Sequence, residues 1–366
     1  MMNKKLGLKE YRDHIDSLDA KILELLNERA QCAQDIAKIK QDESLGEKPI
    51  FYRPEREAKV FRRLIDGNEG PLTNDKVSQI FRQIMSACLA LEQPLKVAYL
   101  GPEGTFTHIA SRKSFGDSVL GFPMATQDEV FREVESESCN YGIVPIENST
   151  EGVVSHTLDN FLESNLKICG EVQLRINHNL MVSERYHGLA VEKIYGHQQA
   201  LGQCRRWLAS NFPEVSKVAV ASNGEAAKRT SDEKGAAAIA PDICADIYKL
   251  RILSNRIEDF TDNTTRFIII GRENVWASGD DKTSVMVSTK NRPGALYRLL
   301  EPFYRKGVSL TSVETRPSRE GMWSYVFFMD FEGHRDDKVV IEIIKDIDKS
   351  ALAVKILGSY PKALTT

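Results

Sequence analysis

Residues 11–40 read YRDHIDSLDAKILELLNERAQCAQDIAKIK, and this stretch decides the fold of the N-terminal part of the chain. Apolar residues recur there at alternating steps of three and four, which is the seam of a heptad repeat. The seam begins at Leu8 and predicts one helix of about 33 residues, about 50 Å long. A helix of that length must pack against other helices, in a bundle or in a dimer.

Two shorter helices are predicted after the first. Pro54 suits the first turn of a second helix, and apolar residues from Val77 to Leu91 mark a third helix that Pro94 ends. Residues 1–93 are therefore predicted to form an all-α, three-helix domain.

The composition favours small molecules as ligands. The 366 residues are enough for two or three domains. The 49 basic and 52 acidic residues leave a net charge of −3, which gives no electrostatic reason to expect nucleic acid or a membrane surface as partner. The six cysteines include no C-x-x-C pair, which argues against disulfides and structural zinc. We expect free thiols, a cytoplasmic location, no cofactor and no metal.

From residue 95 onward, short apolar runs alternate with helical or turn-rich stretches. Runs such as KVAYL, YGIVPI and RFIIIG predict an α/β domain with a mostly parallel sheet over residues 95–272, long enough for two lobes. A segment rich in small and charged residues follows. The order β-α-β-β-α-β over residues 283–362 then predicts a ferredoxin-like α+β domain.

Several cations are predicted on the inner faces of the helical domain. Arg29 lies on the otherwise apolar seam, Lys40 follows on nearly the same face, and Arg56 and Glu57 belong to the second helix. Inward cations need an anion, which a dicarboxylate ligand would supply. The alternative is that Arg29 extends to the edge of the bundle. Arg12 is about 25 Å from Arg29 along the helix, so it reaches the same ligand only from a second subunit.

Residues 11–40, together with YRPEREAKVFRRL at 52–64, resemble the all-helical chorismate mutase family over nearly all of residues 8–93. The resemblance implies an intertwined dimer in which Arg12 crosses to the partner chain. It implies these chorismate-binding residues: Arg12, Arg29, Lys40, Arg53, Arg56, Glu57, Cys88 and Glu92. Arg53 and Cys88 stand where some family members carry aspartate and serine.

Catalysis of the chorismate rearrangement needs no nucleophile, because the reaction is pericyclic. We expect the site to hold the reactive conformer and to stabilise charge at the ether oxygen. Lys40 and Glu92 are the expected donors to that oxygen, Glu92 only when it is protonated. The alternative is that Glu92 is an exposed carboxylate at the end of the third helix.

The α/β segment places polar residues where strands meet loops, in VPIENSTEG, GHQQALGQC and DNTTRF. Ligands of open α/β sheets gather at such junctions. A further candidate is the helix N-cap in GPEGTFTH, whose neighbouring amides can meet a carboxylate. The candidates are Thr105, Glu147, Asn148, Ser149, His197, Gln203, Thr265 and Arg266. Taken singly, each also fits a turn residue, a cap or a surface charge.

Together these strings resemble prephenate dehydratases over residues 95–272. The resemblance implies two α/β lobes, similar to periplasmic binding proteins, with a cleft where prephenate loses water and carbon dioxide to give phenylpyruvate. We assign Thr265 as the hydroxyl that assists departure of the ring hydroxyl, and Glu147 is the rival proton donor. We assign Arg266 as the partner of the substrate's side-chain carboxylate. Gly196 stands where some members have a functional serine.

The last segment carries NRPGAL and VETRPS. These strings fit helix and strand ends, but they also resemble the regulatory ACT domain of prephenate dehydratases. The resemblance implies feedback inhibition by L-phenylalanine bound between paired ACT domains. The implied binding residues are Gly294, Ala295, Leu296, Glu314, Thr315, Arg316 and Pro317.

The order of the three segments resembles the bifunctional chorismate mutase/prephenate dehydratases of phenylalanine biosynthesis. We expect chorismate and prephenate as substrates, L-phenylalanine as inhibitor, and a homodimer or dimer of dimers. One alternative is a dehydratase whose helical segment is only a dimerisation arm. Another is an amino-acid-sensing protein without chemistry, which the intact motif Thr265–Phe267 argues against.

Overall fold

The computed structural model describes residues 7–43, 49–186, 188–290, 292–317 and 324–363. Its N-terminal part consists of three helices, as predicted: α1 (Leu8–Glu43), α2 (Pro54–Asp66) and α3 (Asn74–Glu92). Pro54 opens α2, and the hydroxyl of Thr73 caps α3 by accepting from the amide of Lys76. Within these described residues, no helix is long and apolar enough to cross a membrane.

The long helix α1 buries little of its apolar seam. Within α1, all of which is described, only Ala33 and Ala37 are buried. Ile15, Ile22 and Leu25 are 54%, 53% and 62% exposed. A continuous apolar stripe of this kind is rare on the surface of a monomer. The predicted seam is therefore present, but the described residues of one chain leave it uncovered.

The middle of the chain folds into two α/β lobes. The first lobe contains β1 (Lys96–Leu100), α4 (Phe106–Phe115), β2 (Leu120–Met124), α5 (Gln127–Glu135), β3 (Tyr141–Asn148), β4 (Gly152–Val153), α6 (Ser155–Glu163), β5 (Lys167–Arg175) and a late strand, β11 (Thr264–Gly271). Its strand order is β2-β1-β3-β11-β5, and β4 pairs with β3.

The second lobe is inserted between β5 and β11. It contains β6 (Asn179–Ser183), β7 (Lys193–His197), α7 (Gln198–Gln203), α8 (Arg205–Asn211), β8 (Ser216–Val220), α9 (Asn223–Asp232), β9 (Ala236–Ala240), α10 (Ile243–Tyr248) and β10 (Leu250–Ser254), in strand order β10-β6-β9-β7-β8. Two extended connections join the lobes side by side. The amide of Ile257 donates to the carbonyl of His178, and that of Ile176 to Asn263, both at 2.8 Å.

Both sheets are mixed: in each strand order four strands run in one direction, as expected of a mostly parallel sheet, and one strand, β11 or β6, runs against them. In the first lobe β1 runs parallel to β2 and β3, but β11 is antiparallel to β3 and β5. In the second lobe β7 is parallel to β8 and β9, whereas β6 is antiparallel to β9 and β10. The physical reason in the first lobe is that β11 enters from the second lobe, between strands that run the other way.

The C-terminal part has the predicted ferredoxin-like order. It consists of β12 (Asp281–Lys290), α11 (Ala295–Lys306), β13 (Leu310–Pro317), β14 (Ser324–Glu332), α12 (Lys338–Asp348) and β15 (Ala353–Pro361). The antiparallel sheet has the order β13-β14-β12-β15. Both helices pack on one face, through residues such as Leu299 and Ile343. The other face packs against the first α/β lobe.

Strand β11 contacts a different domain on each face. Ile268 and Ile270 pack in a core with Phe328 of the C-terminal sheet. Phe267 packs in a separate core with α4 and with Tyr52, which precedes α2. Alternate residues of β11 therefore face the C-terminal domain and the helical domain.

Candidate active sites

The helical domain brings Lys40 and Glu92 together, as the sequence predicts. Lys40 Nζ lies 3.2 Å from Glu92 Oε2 and donates to the carbonyl of Phe51 at 3.2 Å. The two side chains are 27% and 12% exposed. Lys40 Nζ is also 5.3 Å from the centre of the Phe51 ring. A cation and a carboxylate thus converge where the ends of α1 and α3 meet.

Glu57 has a partner that the sequence did not predict. Arg82 Nη1 lies 2.5 Å from Glu57 Oε2, and its guanidinium stacks 4.1 Å from the Phe61 ring centre. Burial raises the pKa of Glu57, while Arg82 and then Arg29 oppose that rise. The two side chains line a cavity of about 740 Å³ between the helical domain and the first lobe. The sequence signal that could have identified this partner is the position of Arg82, three residues before the buried Met85 on α3.

The remaining mutase candidates are dispersed in a single chain. Cys88 is buried on α3, and Arg53 Nη1 is 3.8 Å from Glu55 Oε1. Arg12, Arg29 and Arg56 are exposed and form no ion pair with another described residue. The structure therefore brings Lys40 and Glu92 together and places Glu57 within electrostatic range of Arg29.

In the first lobe, Asn148 and Thr265 face each other across the β3–β11 ladder. Asn148 Nδ2 donates to Thr265 Oγ1 at 2.7 Å and to Asn263 Oδ1 at 2.8 Å. Asn148 Oδ1 accepts from the amides of Thr150 and Glu151. Since Thr265 Oγ1 accepts a hydrogen bond, its own proton stays available for another acceptor.

Ser149 fixes the same junction through its backbone and side chain. Its hydroxyl accepts from the amide of Thr264 at 2.9 Å and donates to the carbonyl of Asp262 at 3.3 Å. The predicted loop residue is therefore within the site and holds the start of β11 in place.

The second lobe contributes Gln203 to the candidate site. Its side chain is held by a histidine that the sequence analysis did not identify. Gln203 Oε1 lies 2.8 Å from Nε2 of His178, a residue that is 2% exposed. Among the described residues, His178 Nδ1 has no hydrogen-bond partner. A buried acceptor left alone costs less than a buried donor left alone, so we assign the proton to Nε2. The Gln203 amide nitrogen is then turned toward Glu151 Oε1, 3.4 Å away.

Burial lowers the pKa of His178, although its hydrogen bond to Gln203 opposes the shift. The imidazole is therefore neutral and can hold one orientation of the Gln203 amide. Its sequence signal was INHNL at 176–180, polar residues directly after a strand. His197 ends β7 and directly precedes α7 in the same lobe, and its amide donates to Asn223 Oδ1 at 3.0 Å.

The two lobes touch across the cleft. Thr105 caps α4, as predicted, by accepting from the amide of His108, and it donates to the carbonyl of Leu100 at 2.9 Å. In the same loop, the carbonyl of Gly104 accepts from Cys244 Sγ at 3.3 Å. Tyr248 Oη donates to the carbonyl of Glu103 at 2.8 Å. Hydrogen bonds from α10 of the second lobe to the carbonyls of Glu103 and Gly104 thus join the two lobes beside Thr105.

Arg266 points to the other face of β11, away from Asn148 and Thr265. Its guanidinium binds Glu171 Oε2 at 2.7 Å, Asp330 Oδ2 at 2.6 Å and Tyr360 Oη at 2.9 Å. Glu147 lies opposite Arg266 in the ladder, with Oε2 3.9 Å from Arg266 Nη1. Neighbouring strand residues alternate faces. The structure therefore brings Arg266 and Glu147 to the C-terminal domain rather than to the Thr265 hydroxyl.

The C-terminal motif residues divide between two faces of β13. Arg316 forms a bidentate ion pair with Asp159 of α6, both Nη2–oxygen distances being 2.9 Å. Glu314 also faces the α/β domain, and burial, followed by the charge of Glu147, raises its pKa. Thr315 and Pro317 are exposed.

The start of α11 carries the other predicted motif. Gly294 has a φ of +76°, a conformation that suits glycine, and it precedes Ala295, the first residue of the helix. Leu296 is 42% exposed. This motif is thus accessible at a helix N-terminus, where amide groups are available.

Comparisons with known proteins agree with this division of the chain. The family descriptions "Chorismate mutase type II", "Prephenate dehydratase" and "ACT domain" match residues 11–93, 97–275 and 283–349. The bifunctional chorismate mutase/prephenate dehydratases of Pseudomonas aeruginosa and Stutzerimonas stutzeri are 56% and 54% identical over 358 residues, 98% of each chain. The crystal structure of an Arthrobacter aurescens prephenate dehydratase in complex with L-Phe superposes with a TM-score of 0.68 at 30% identity, covering 74% of this chain and 90% of that one.

Fold and sites together define a multidomain enzyme of aromatic amino acid biosynthesis with an ACT domain. The chain belongs to the family of bifunctional chorismate mutase/prephenate dehydratases. It converts chorismate to prephenate and prephenate to phenylpyruvate. A dehydratase with a helical dimerisation arm alone is not favoured, since the helical segment matches a chorismate mutase domain.

Proposed function

We propose that chorismate rearranges between Lys40 and Glu92. The reaction needs the reactive conformer to be held and the developing charge on the ether oxygen to be stabilised. Lys40 carries the donor, and its pairing with Glu92 at 3.2 Å supports the proposal because both groups are already directed to one point. Arg29, Arg53, Arg56, Glu57 and Cys88 complete the proposed site in the same chain.

The helical domain works as a homodimer in this proposal, alone or in a dimer of dimers. The exposed seam of α1, including Ile15 and Ile22, supports pairing with α1 of a second copy. Arg12 then binds the chorismate of the partner chain. Sedimentation of wild type and Ile22→Glu, with Lys21→Glu as a neighbouring control, tests this: the first variant alone should dissociate and lose mutase activity.

For the dehydratase, we propose Thr265 as the hydrogen-bond donor to the departing ring hydroxyl. The ring carboxylate leaves as carbon dioxide, its bonding electrons make the ring aromatic, and the hydroxyl departs as water after taking a proton. The hydrogen bond from Asn148 Nδ2 to Thr265 Oγ1 carries this proposal, because it polarises the hydroxyl and leaves its proton free. Glu147, the rival donor, lies on the opposite face of the strand.

Prephenate's carboxylates are bound, in this proposal, by the Gln203 amide, by His197 and by the amides that follow Thr105. Ser149 holds the loop. The decisive test compares Thr265→Ala with Thr265→Ser in a prephenate-to-phenylpyruvate assay. Thr265→Ala should lose dehydratase turnover while keeping mutase activity, and Thr265→Ser should retain part of it. Full turnover in Thr265→Ala would refute the assignment.

We further propose that L-phenylalanine inhibits the dehydratase by binding between paired ACT domains. The candidate residues are Gly294–Leu296 at the start of α11 and Glu314–Pro317 on β13. Since β13 is an edge strand, its free side is available to a second ACT domain. Calorimetric titration with L-phenylalanine, with D-phenylalanine as control, tests binding directly. Six free cysteines support a reducing, cytoplasmic location, which thiol counting on freshly isolated protein would check.

A further inference from the structure

A carboxylate of the first lobe contacts two glutamine side chains of α7 in the second lobe. Glu151 lies in the turn between β3 and β4, three residues after Asn148. Gln199 Nε2 donates to Glu151 Oε2, and Gln203 Nε2 donates to Glu151 Oε1 at 3.4 Å. Each oxygen of this carboxylate is therefore bound by an amide of its own.

The two glutamines form a carboxylate-binding pair. They are four residues apart on α7, so their side chains lie on the same face of the helix. Gln203 keeps one amide orientation, because its Oε1 lies 2.8 Å from Nε2 of the buried His178. Its Nε2 is therefore directed toward Glu151. Two side-chain amides in this arrangement can donate to any carboxylate, whether it belongs to the protein or to a ligand.

The same amides lie where the substrate is expected to bind. Prephenate carries two carboxylates, and the proposed function assigns one of them to the Gln203 amide. In the structure that amide is occupied by Glu151. Two carboxylates at one site repel each other, so Glu151 and the substrate carboxylate do not share these donors.

The side chain of Glu151 can leave the glutamines without disturbing the catalytic pair. Its backbone amide donates to Asn148 Oδ1 at 3.0 Å, and this bond does not involve the carboxylate. Asn148 therefore keeps its bond to Thr265 when the carboxylate moves. Glu151 and Gln199 are both exposed, so the displaced carboxylate has water to enter.

We propose that Gln199 binds a carboxylate of prephenate together with Gln203, and that Glu151 occupies these amides in the free enzyme until the substrate displaces it. The inference rests on the proposed role of Gln203 in prephenate binding. Glu151 then determines specificity, because hydrogen bonds to a charged group are about twice as strong as neutral ones. Only a ligand with its own carboxylate replaces the bonds that Glu151 gives up.

The test measures the dehydratase KM and kcat of the full chain in Glu151→Ala, Glu151→Gln and Glu151→Asp. The first variant empties the amide pair, the second keeps the shape without the charge, and the third keeps the charge on a side chain too short to reach both amides. Glu214→Ala is the matched control, because Glu214 is an exposed carboxylate of the second lobe, between α8 and β8. Mutase activity of the same proteins reports that each chain is folded.

We expect Glu151→Ala to lower the KM for prephenate about fivefold, because the substrate no longer competes with a charge-assisted contact. Glu151→Gln and Glu151→Asp should each lower it about threefold, since each weakens that contact. Glu214→Ala should keep the wild-type KM. An unchanged or raised KM in Glu151→Ala would overturn the proposal. A wild-type KM in Glu151→Asp would also overturn it, because the effect would then be one of charge alone.

The role of Gln199 is tested by combining two substitutions. In the wild-type background, Gln199→Ala weakens both the contact with Glu151 and the contact with the substrate. The two losses partly cancel, so KM should rise only about twofold. In the Glu151→Ala background only the substrate contact is lost, and KM should rise about tenfold. Equal rises in the two backgrounds would contradict the proposal.

Gln203→Ala, made in the Glu151→Ala background, separates this inference from the proposed function. If it leaves the KM of Glu151→Ala unchanged, the Gln203 amide does not bind prephenate, and both the proposed role and the inference fail. If it raises that KM while Glu151→Ala itself matches wild type, the proposed role of Gln203 stands and the inference alone is refuted.

Discussion

Replacing Asn148 by aspartate reverses a hydrogen bond on which the dehydratase proposal depends. In the structure, Asn148 Nδ2 donates to Thr265 Oγ1 over 2.7 Å, so the threonine proton is free for the departing hydroxyl. A carboxylate of the same shape can only accept hydrogen bonds, so it would accept one from the Thr265 hydroxyl and occupy that proton. Thr265 then has nothing to donate in the transition state.

The expected loss is that of one preorganised donor, about 10²–10³ in kcat or about 3–4 kcal/mol. The fold should remain intact because the new carboxylate still accepts from the amides of Thr150 and Glu151, as Asn148 Oδ1 does at 2.9 and 3.0 Å. Asn263, now 2.8 Å from Asn148 Nδ2, can turn its amide to donate to the introduced oxygen.

The assay follows both reactions of the same protein, so mutase turnover reports whether the chain is folded. Asn211→Asp makes the same exchange on the exposed surface of α8 and serves as control. We expect Asn148→Asp to lose dehydratase turnover alone and to recover part of it at acidic pH, where the introduced carboxyl gains a proton to donate. A kcat within threefold of wild type at neutral pH would refute the reasoning.

Three further predictions concern the mutase and the cleft. If Arg12 acts across the dimer, mixing inactive Arg12→Ala and Arg29→Ala chains should restore about one quarter of the mutase activity. Half of the dimers are then mixed, and each mixed dimer holds one intact site out of two. No recovery after subunit exchange would show that Arg12 does not act in the partner's site. Glu92→Gln, a donor at every pH, should flatten the mutase pH–rate profile, and an unchanged profile would remove Glu92 from the mechanism. His178→Asn should raise the KM for prephenate several-fold through Gln203. Because burial lowers the pKa of His178, wild-type stability should fall as pH drops below the unfolded value of about 6.5, and thermal melts of the variant should show a smaller fall.

The helices and the C-terminal order were predictable because their signals are local. The heptad steps of residues 11–40 specify α1, and Pro54 marks the start of α2, without reference to any distant part of the chain. The same holds for the strand and helix succession of residues 283–362. Family resemblance assigned Asn148 and Thr265 to one site, and only the structure showed the hydrogen bond between these residues, which are 117 residues apart.

Strand direction and side-chain orientation were not predictable, because they depend on contacts between distant residues. Strand β11 lies between β3 and β5 because the chain leaves the first lobe after β5, forms the second lobe and returns to the first lobe with β11. Arg266 finds Asp330 and Tyr360 64 and 94 residues later. The motif Thr265–Phe267 suggested one common site, but alternation along β11 sends its arginine and its threonine to opposite faces.

Because β11 comes late in the sequence, the two α/β lobes become able to fold in a fixed order during synthesis. Strands β1, β3 and β5 emerge from the ribosome long before residues 264–271 can fill the gap between β3 and β5. The inserted second lobe, which is continuous in sequence from β6 to β10, is free to fold first. The nascent first lobe therefore remains incomplete, with two open sheet edges, until the strand that carries Thr265 has emerged.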